Sequence, residues 1–252
     1  MGFYDCHCHF AFYSPEKLKA QMAKSPNNLV RVMGGYSPED WLAQEKVKEQ
    51  NPNLFYSAYG LHPWYVRSPE FKLQEDLEQL KTYVDRADFI GEVGLDYSEN
   101  GMDLKKEIQL HTFETQLDLG YDRPYVFHIV QAHGPALNLL KDYRVKGFVH
   151  GFSGALEVAQ AYWDLGISLS FGPQILNPQF KKAREVLKEI PLSFLLLESD
   201  APKDNMDESD PTSLYFQVVR EAASIKGMAQ GDLVEQVTEN LEKLLPQVQG
   251  KT

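Results

Sequence analysis

Two histidines one residue apart, His7 and His9, stand in the segment Asp5-Cys6-His7-Cys8-His9 at the end of the first apolar run. On a strand, alternate side chains share a face, so both imidazoles point the same way with Asp5 behind them. Such a pair can hold one divalent cation but leaves its shell unfinished, and further ligands must come from elsewhere. Taken alone, His-x-His is as readily two unrelated histidines. Glu92, His128, His150 and Asp200 change the reading, because each stands at or just past the C-terminal end of a separate apolar run. Imidazoles with carboxylates suit Zn²⁺, Mn²⁺, Fe²⁺ or Ni²⁺, whereas Mg²⁺ prefers oxygen donors.

Each of these residues also has a plainer role open to it. Asp200 can cap a helix ahead of Ala201-Pro202, Glu92 can form a salt bridge within a barrel mouth, and His128 or His150 can be a hydrogen-bonded core histidine. His62 can contact substrate or orient the Pro63-Trp64 turn. Asp96 can contact substrate or cap a turn. His111, on a helix, and His133, opening one, are not site candidates. Cys6 and Cys8, the two cysteines of the chain, are expected on the opposite strand face, reduced and buried toward outer helices. A Cys-x-Cys metal pair is the competing reading.

The elements that must position these groups are apolar runs alternating with amphipathic stretches. Strands are expected over Gly2–His9, Leu29–Gly34, Phe55–Leu61, Phe89–Gly94, Tyr125–Ile129, Gly147–Gly151, Ile167–Phe171 and Phe194–Glu198. Runs such as Phe194-Leu195-Leu196-Leu197 are apolar on both faces, as parallel strands covered by helices must be. Helical spacing recurs through Leu73, Leu77, Leu80 and Val84 after a Ser68-Pro69 start, through 105–119, through Leu137–Leu140, through Ala183–Ile190 and twice after Pro211. Eight βα units predict an α/β fold of (β/α)₈ TIM-barrel type in a single domain over 1–252, with an open doubly wound sheet as the rival. In such a barrel the strand ends that carry His7, His9, His62, Glu92, His128, His150 and Asp200 meet at one mouth.

The 252 residues match the roughly 250 of a typical barrel. No apolar stretch reaches the roughly 18 residues of a membrane span, and no signal-peptide pattern opens the chain. With its reduced cysteines this predicts a cytoplasmic location, no membrane contact and no obligate protein partner. A net charge of −11 argues against binding nucleic acid through a broad basic surface. It does not exclude a phosphate substrate, because bound cations invert the field inside a pocket.

Asp5-Cys6-His7-Cys8-His9, Gly91-Glu92-Val93-Gly94-Leu95-Asp96-Tyr97, His150-Gly151-Phe152-Ser153-Gly154 and Leu197-Glu198-Ser199-Asp200-Ala201-Pro202 resemble the TatD family of metal-dependent hydrolases over nearly the whole chain. The resemblance implies one or two divalent ions (Zn, Mn or Mg) and hydrolysis, often of phosphodiesters in DNA. His7, His9, Glu92 and Asp200 would hold one ion. Glu92, His128 and His150 would hold a second, with Glu92 bridging. A water between them would lose its proton near neutral pH and serve as nucleophile, with Asp200 as general base. DNA or a small phosphoester would lie in the barrel mouth. The chain departs from the family at Val130 and Gln131, where an Arg and an Asp are usual, and at Glu208-Ser209-Asp210-Pro211, where Arg-Asn-Glu-Pro is usual. Two other readings stay open: an amidohydrolase acting on C–N or acyl bonds, and a barrel that binds metal but has lost catalysis. Many amidohydrolase relatives bridge their ions with a carboxylated Lys, and a Glu in its place favours phosphoesters.

Overall fold

The computed structural model describes residues 2–98, 105–119, 122–202 and 210–245. Its strands are β1 (Phe3–Cys8), β2 (Leu29–Met33), β3 (Phe55–Tyr59), β4 (Phe89–Asp96), β5 (Tyr125–Val130), β6 (Gly147–Val149), β7 (Ser168–Phe171) and β8 (Leu195–Leu197). All eight fall on the expected runs, and they form one parallel sheet in sequence order. The cylinder is sealed just beyond β8. There the Asp200 N–H donates to the His7 carbonyl at 3.0 Å and the His9 N–H to the Ala201 carbonyl at 3.1 Å. The fold is a single (β/α)₈ barrel.

The intervening helices are α1 (Pro15–Lys24), α2 (Pro38–Gln50), α3 (Pro63–Arg67), α4 (Leu73–Tyr83), α5 (Lys106–Asp118), α6 (His133–Leu140), α7 (Leu156–Asp164) and α8 (Lys181–Glu189). After β8 come α9 (Pro211–Lys226) and α10 (Gln230–Leu244). One local signal starts four of them: a capping side chain followed by proline at the first helical position. Ser14, Ser37, His62 and Asp210 accept backbone N–H groups ahead of Pro15, Pro38, Pro63 and Pro211. The same signal misleads at Ser68-Pro69, where the helix begins only at Leu73. Ser68 instead ends α3, and Asp76 sets the later start by accepting the Lys72 N–H at 2.8 Å and the Tyr65 hydroxyl at 3.0 Å.

Two layers of apolar side chains follow. Outside the strands, Ile90, Val93, Leu169, Leu195 and Leu197 pack against helix residues such as Leu80, Phe113, Leu117 and Val186. Inside, Cys6, Val32, Ala58, Phe89, Val126, Phe148 and Leu196 meet, one from each of seven strands, with Leu241 of α10 closing the floor. Cys6 therefore faces the barrel interior while Cys8 packs outward against Phe10, Leu18, Met33 and Val47. The expectation of a shared face fails because the β1–β2 register shifts between Asp5 and Cys8, which breaks the strict alternation.

Candidate metal centre

β1 delivers His7, and His9 follows directly after it. β4 carries Glu92 well inside the strand rather than at its end, with Asp96 as its last residue. β5 carries His128, His150 follows β6, and Asp200 lies three residues past β8. His62 caps α3. Asp200 takes a left-handed backbone, φ 48°, which Asp tolerates better than most residues.

Five imidazoles surround Glu92. Its Oε2 lies 3.6 Å from His7 Nε2, 3.6 Å from His62 Nε2, 3.5 Å from His128 Nδ1 and 2.8 Å from His150 Nε2, and its Oε1 lies 3.9 Å from His9 Nε2. Asp200 Oδ1 stands 3.8 Å from His7 Nε2 and 3.6 Å from His9 Nε2. Burial disfavours charge on Glu92, but His7, His150 and His62 outweigh it and hold the carboxyl well below the usual range. Burial likewise works against the Asp200 carboxylate, yet His9, His150 and His7 keep its pKa low. Burial and the adjacent His150 ring push His7 down, and burial with His128 does the same to His62. Burial would also lower His150, but Glu92 and Glu198 push it well above the usual value.

Divalent ions fit this set. Both ring nitrogens of His7 and Glu92 Oε1 are buried without a hydrogen-bond partner, and a buried polar atom left so is costly unless something else satisfies it. The donors His7, His9, Glu92 and Asp200 are 3.6–3.9 Å apart in the pairs above. A tetrahedral shell with ligands at about 2.0–2.2 Å places its donors about 3.4 Å from one another, nearly the spacing found. His7 with His9 and Glu92, His7 with His150 and Asp200, and His62 with Glu92 and His128 each present three donor atoms within 4.8 Å.

Hydrogen bonds sort ligands from donors. His128 Nε2 lies 3.0 Å from Asp96 Oδ2, so its proton sits there and the bare Nδ1 faces Glu92 and His150. His62 differs: its Nδ1 accepts the Trp64 N–H at 3.0 Å, which puts the proton on Nε2. The neutral ring then presents a donor to the mouth, not a lone pair. Asp96 also accepts the Trp64 indole N–H at 2.6 Å, along with the Ser98 N–H and hydroxyl. It thus backs His128 and bonds the turn at Ser98, the turn role being one of the two open to it, and it also lines the mouth. Asp5 does not stand behind the imidazoles. It accepts the Ser199 N–H at 2.8 Å and hydroxyl at 2.6 Å and ties β1 to the segment bearing Asp200.

Sequence reasoning missed the role of Glu198. This fully buried carboxylate accepts the Gly151 N–H at 2.8 Å and the Ser170 hydroxyl, and its Oε1 lies 3.7 Å from His150 Nδ1. The available signal was a second acid two residues before Asp200, in the same phase of the strand end. His133 is outside the centre, bonded to the Tyr162 hydroxyl at 3.1 Å, and burial pulls it down to about 4. His111 is exposed on α5. Val130 lines the mouth, while Glu208 and Ser209 lie outside the described residues. Among the described residues no helix is long and apolar enough to cross a membrane.

A family profile described as TatD related DNase matches residues 4–246. YjjV of Escherichia coli K12, described as an uncharacterized metal-dependent hydrolase, is 32% identical over 210 residues, covering 79% of each chain. Human deoxyribonuclease TATDN3 is 27% identical over 98% of this chain and 96% of its own. The crystal structure of YjjV superposes with a TM-score of 0.85 over 96% of this chain and 97% of that one, at 27% identity.

Proposed function

Because this chain belongs to the TatD-related DNase family, whose profile spans it almost end to end, we propose that it hydrolyses phosphoester bonds, in DNA or a smaller ester, at the barrel mouth. The family fixes the coarser statement, a metal-dependent hydrolase. The finer reading is supported by one observation above all: buried, partnerless donors of His7 and Glu92, together with His9 and Asp200, frame a cation-sized gap. His7, His9, Glu92 and Asp200 would hold one divalent ion, and Glu92, His128 and His150 a second. Such ions, when bound, bring water to a pKa of about 7 and neutralise charge on phosphoryl oxygens.

The protein's own groups do the rest. Glu92 sits at the centre, ionised, and links both ligand sets. Asp200 stays ionised at neutral pH and is partly open to the mouth, so it can take a proton from the attacking water and return it to the leaving oxygen. His62 points its Nε2–H inward, where it can donate to a phosphoryl oxygen. Asp96 holds His128, and Glu198 stands behind His150.

The test combines elemental analysis with turnover of a bis-aryl phosphate, single-stranded DNA and small amides under Mn²⁺, Zn²⁺ or Mg²⁺. Phosphoesters should be cleaved and amides spared, and Glu92→Ala should lose both metal and turnover. Cleavage of amides alone, or full activity in Glu92→Ala, would overturn the reading. Tight metal binding with every ester untouched would leave the silent barrel instead.

A further inference from the structure

The mouth is a cavity of about 480 Å³, toward the small end of the roughly 300–1,000 Å³ of ligand pockets. Its walls are not alike. On the side of the first three strands, each loop brings one aromatic ring to the rim. Phe12 follows β1 and lies nearly parallel to the His9 ring, with centroids 5.1 Å apart and planes 9° apart. Tyr36 follows β2, with its ring 5.3 Å from that of His62. Trp64 follows β3, 5.4 Å from His62, and stays 45% exposed although its indole N–H is tied to Asp96. The Asp96 bond fixes the indole plane and leaves ring surface toward solvent. A half-exposed indole held in place at the rim offers a flat face on which another ring can pack.

The second observation is charge. Among the described residues, the cavity lining contains imidazoles, carboxylates, aromatics, Ser98, Val130 and Gly151, but no Lys or Arg. Proteins that track a nucleic-acid strand do so with a cationic groove along the backbone beside their stacking rings. Here the rings are present and the lining cations are not, and the whole chain carries −11.

We propose that Phe12, Tyr36 and Trp64 form a subsite for one flat ring, so that the preferred substrate is a mononucleotide-sized phosphoester bearing a nucleobase or aryl group rather than a long strand. This rests on the phosphoester reading above. The ester phosphate would lie at the histidines and carboxylates, and its ring against the aromatic wall. Extra nucleotides would find no cationic partner among the described lining residues and add little.

Calorimetric titration of the Mn²⁺-loaded protein tests this with three probes: thymidine 5′-monophosphate, methyl phosphate and a short oligothymidylate. The ring should tighten binding about 5- to 160-fold over methyl phosphate, the range of a single base on an aromatic side chain. Trp64→Leu and, independently, Tyr36→Leu should erase most of that advantage, and Tyr36→Leu, which leaves the Trp64–Asp96 bond intact, should bind methyl phosphate as before. Trp64→Phe should restore much of it. The oligothymidylate should gain no more than its number of nucleotides supplies statistically. Equal binding of the two small probes, parallel loss of both in Tyr36→Leu, or a larger gain for the oligomer would overturn the proposal. A protein that binds thymidine through Trp64 but neither methyl phosphate nor any phosphoester would keep the ring subsite and sink the phosphoester reading instead.

Discussion

Gly34, the residue after β2, is where a single methyl group should disable the centre without unfolding the barrel. A Cβ built there would stand 2.4 Å from His7 Cε1 and 2.5 Å from Glu92 Oε1, whereas ordinary contact begins near 3.4 Å. Each group must therefore retreat by about 1 Å, a misplacement that can cost about 100-fold in rate. Neither can swing into solvent, since His7 and Glu92 are almost completely buried. The backbone is also pinned, because Gln44 Nε2 donates to the Gly34 carbonyl at 2.9 Å. Gly34→Ala should lower both metal affinity and turnover by about 100-fold, read by chelator competition and by rate, while circular dichroism shows an intact barrel. Gly134→Ala is the control, since nothing lies within 4 Å of the added carbon. A folded Gly34→Ala protein with undiminished metal affinity and rate would refute the packing argument.

Asp200→Asn should keep most of its metal yet slow turnover about 10²- to 10⁴-fold, the scale of general acid–base catalysis, and an unchanged rate would assign the base elsewhere. Asp96→Asn should loosen the hold on His128 and weaken metal binding about 10- to 100-fold in chelator competition; wild-type affinity would show that Nε2 needs no carboxylate. Asp40 predicts a pH effect on folding. Burial pushes its carboxyl from 3.8 up to about 6, although Gln44 and the Tyr36 N–H bond to it. A raised folded pKa stabilises fully below pH 3.8, and that contribution is lost as pH rises through 6, about 3 kcal/mol in all. Denaturant unfolding of Asp40→Asn between pH 4 and pH 8 should lack this decline, and a parallel decline in both proteins would contradict it.

The strands could be read in advance because each is buried on both faces, which leaves short continuous apolar runs between polar helices. The convergence of His7, His9, Glu92, His128, His150 and Asp200 followed from topology, since parallel strands in a barrel all end at one mouth. What escaped depended on contacts between distant residues or on local irregularity. Cys6 and Cys8 parted because a register shift interrupts β1. The partner of Asp5 is Ser199, 194 positions away, and no local pattern announces it. His62 offered two equal roles until the Trp64 N–H showed which nitrogen carries the proton. Glu198 reads as one more polar residue after β8 until His150 and Ser170 are placed around it.

The seam between the first strand and the segment beyond the eighth also sets when the centre can exist. During synthesis His7 and His9 leave the ribosome long before Asp200 and its link to the His7 carbonyl. Until then a nascent chain lacks Asp200 and the closed cylinder, so its histidines and Glu92 have no complete cradle for a cation. Any loading with ions is thereby deferred until the segment beyond β8 has joined β1, and contacts so widely separated along the chain are of the kind that slow folding.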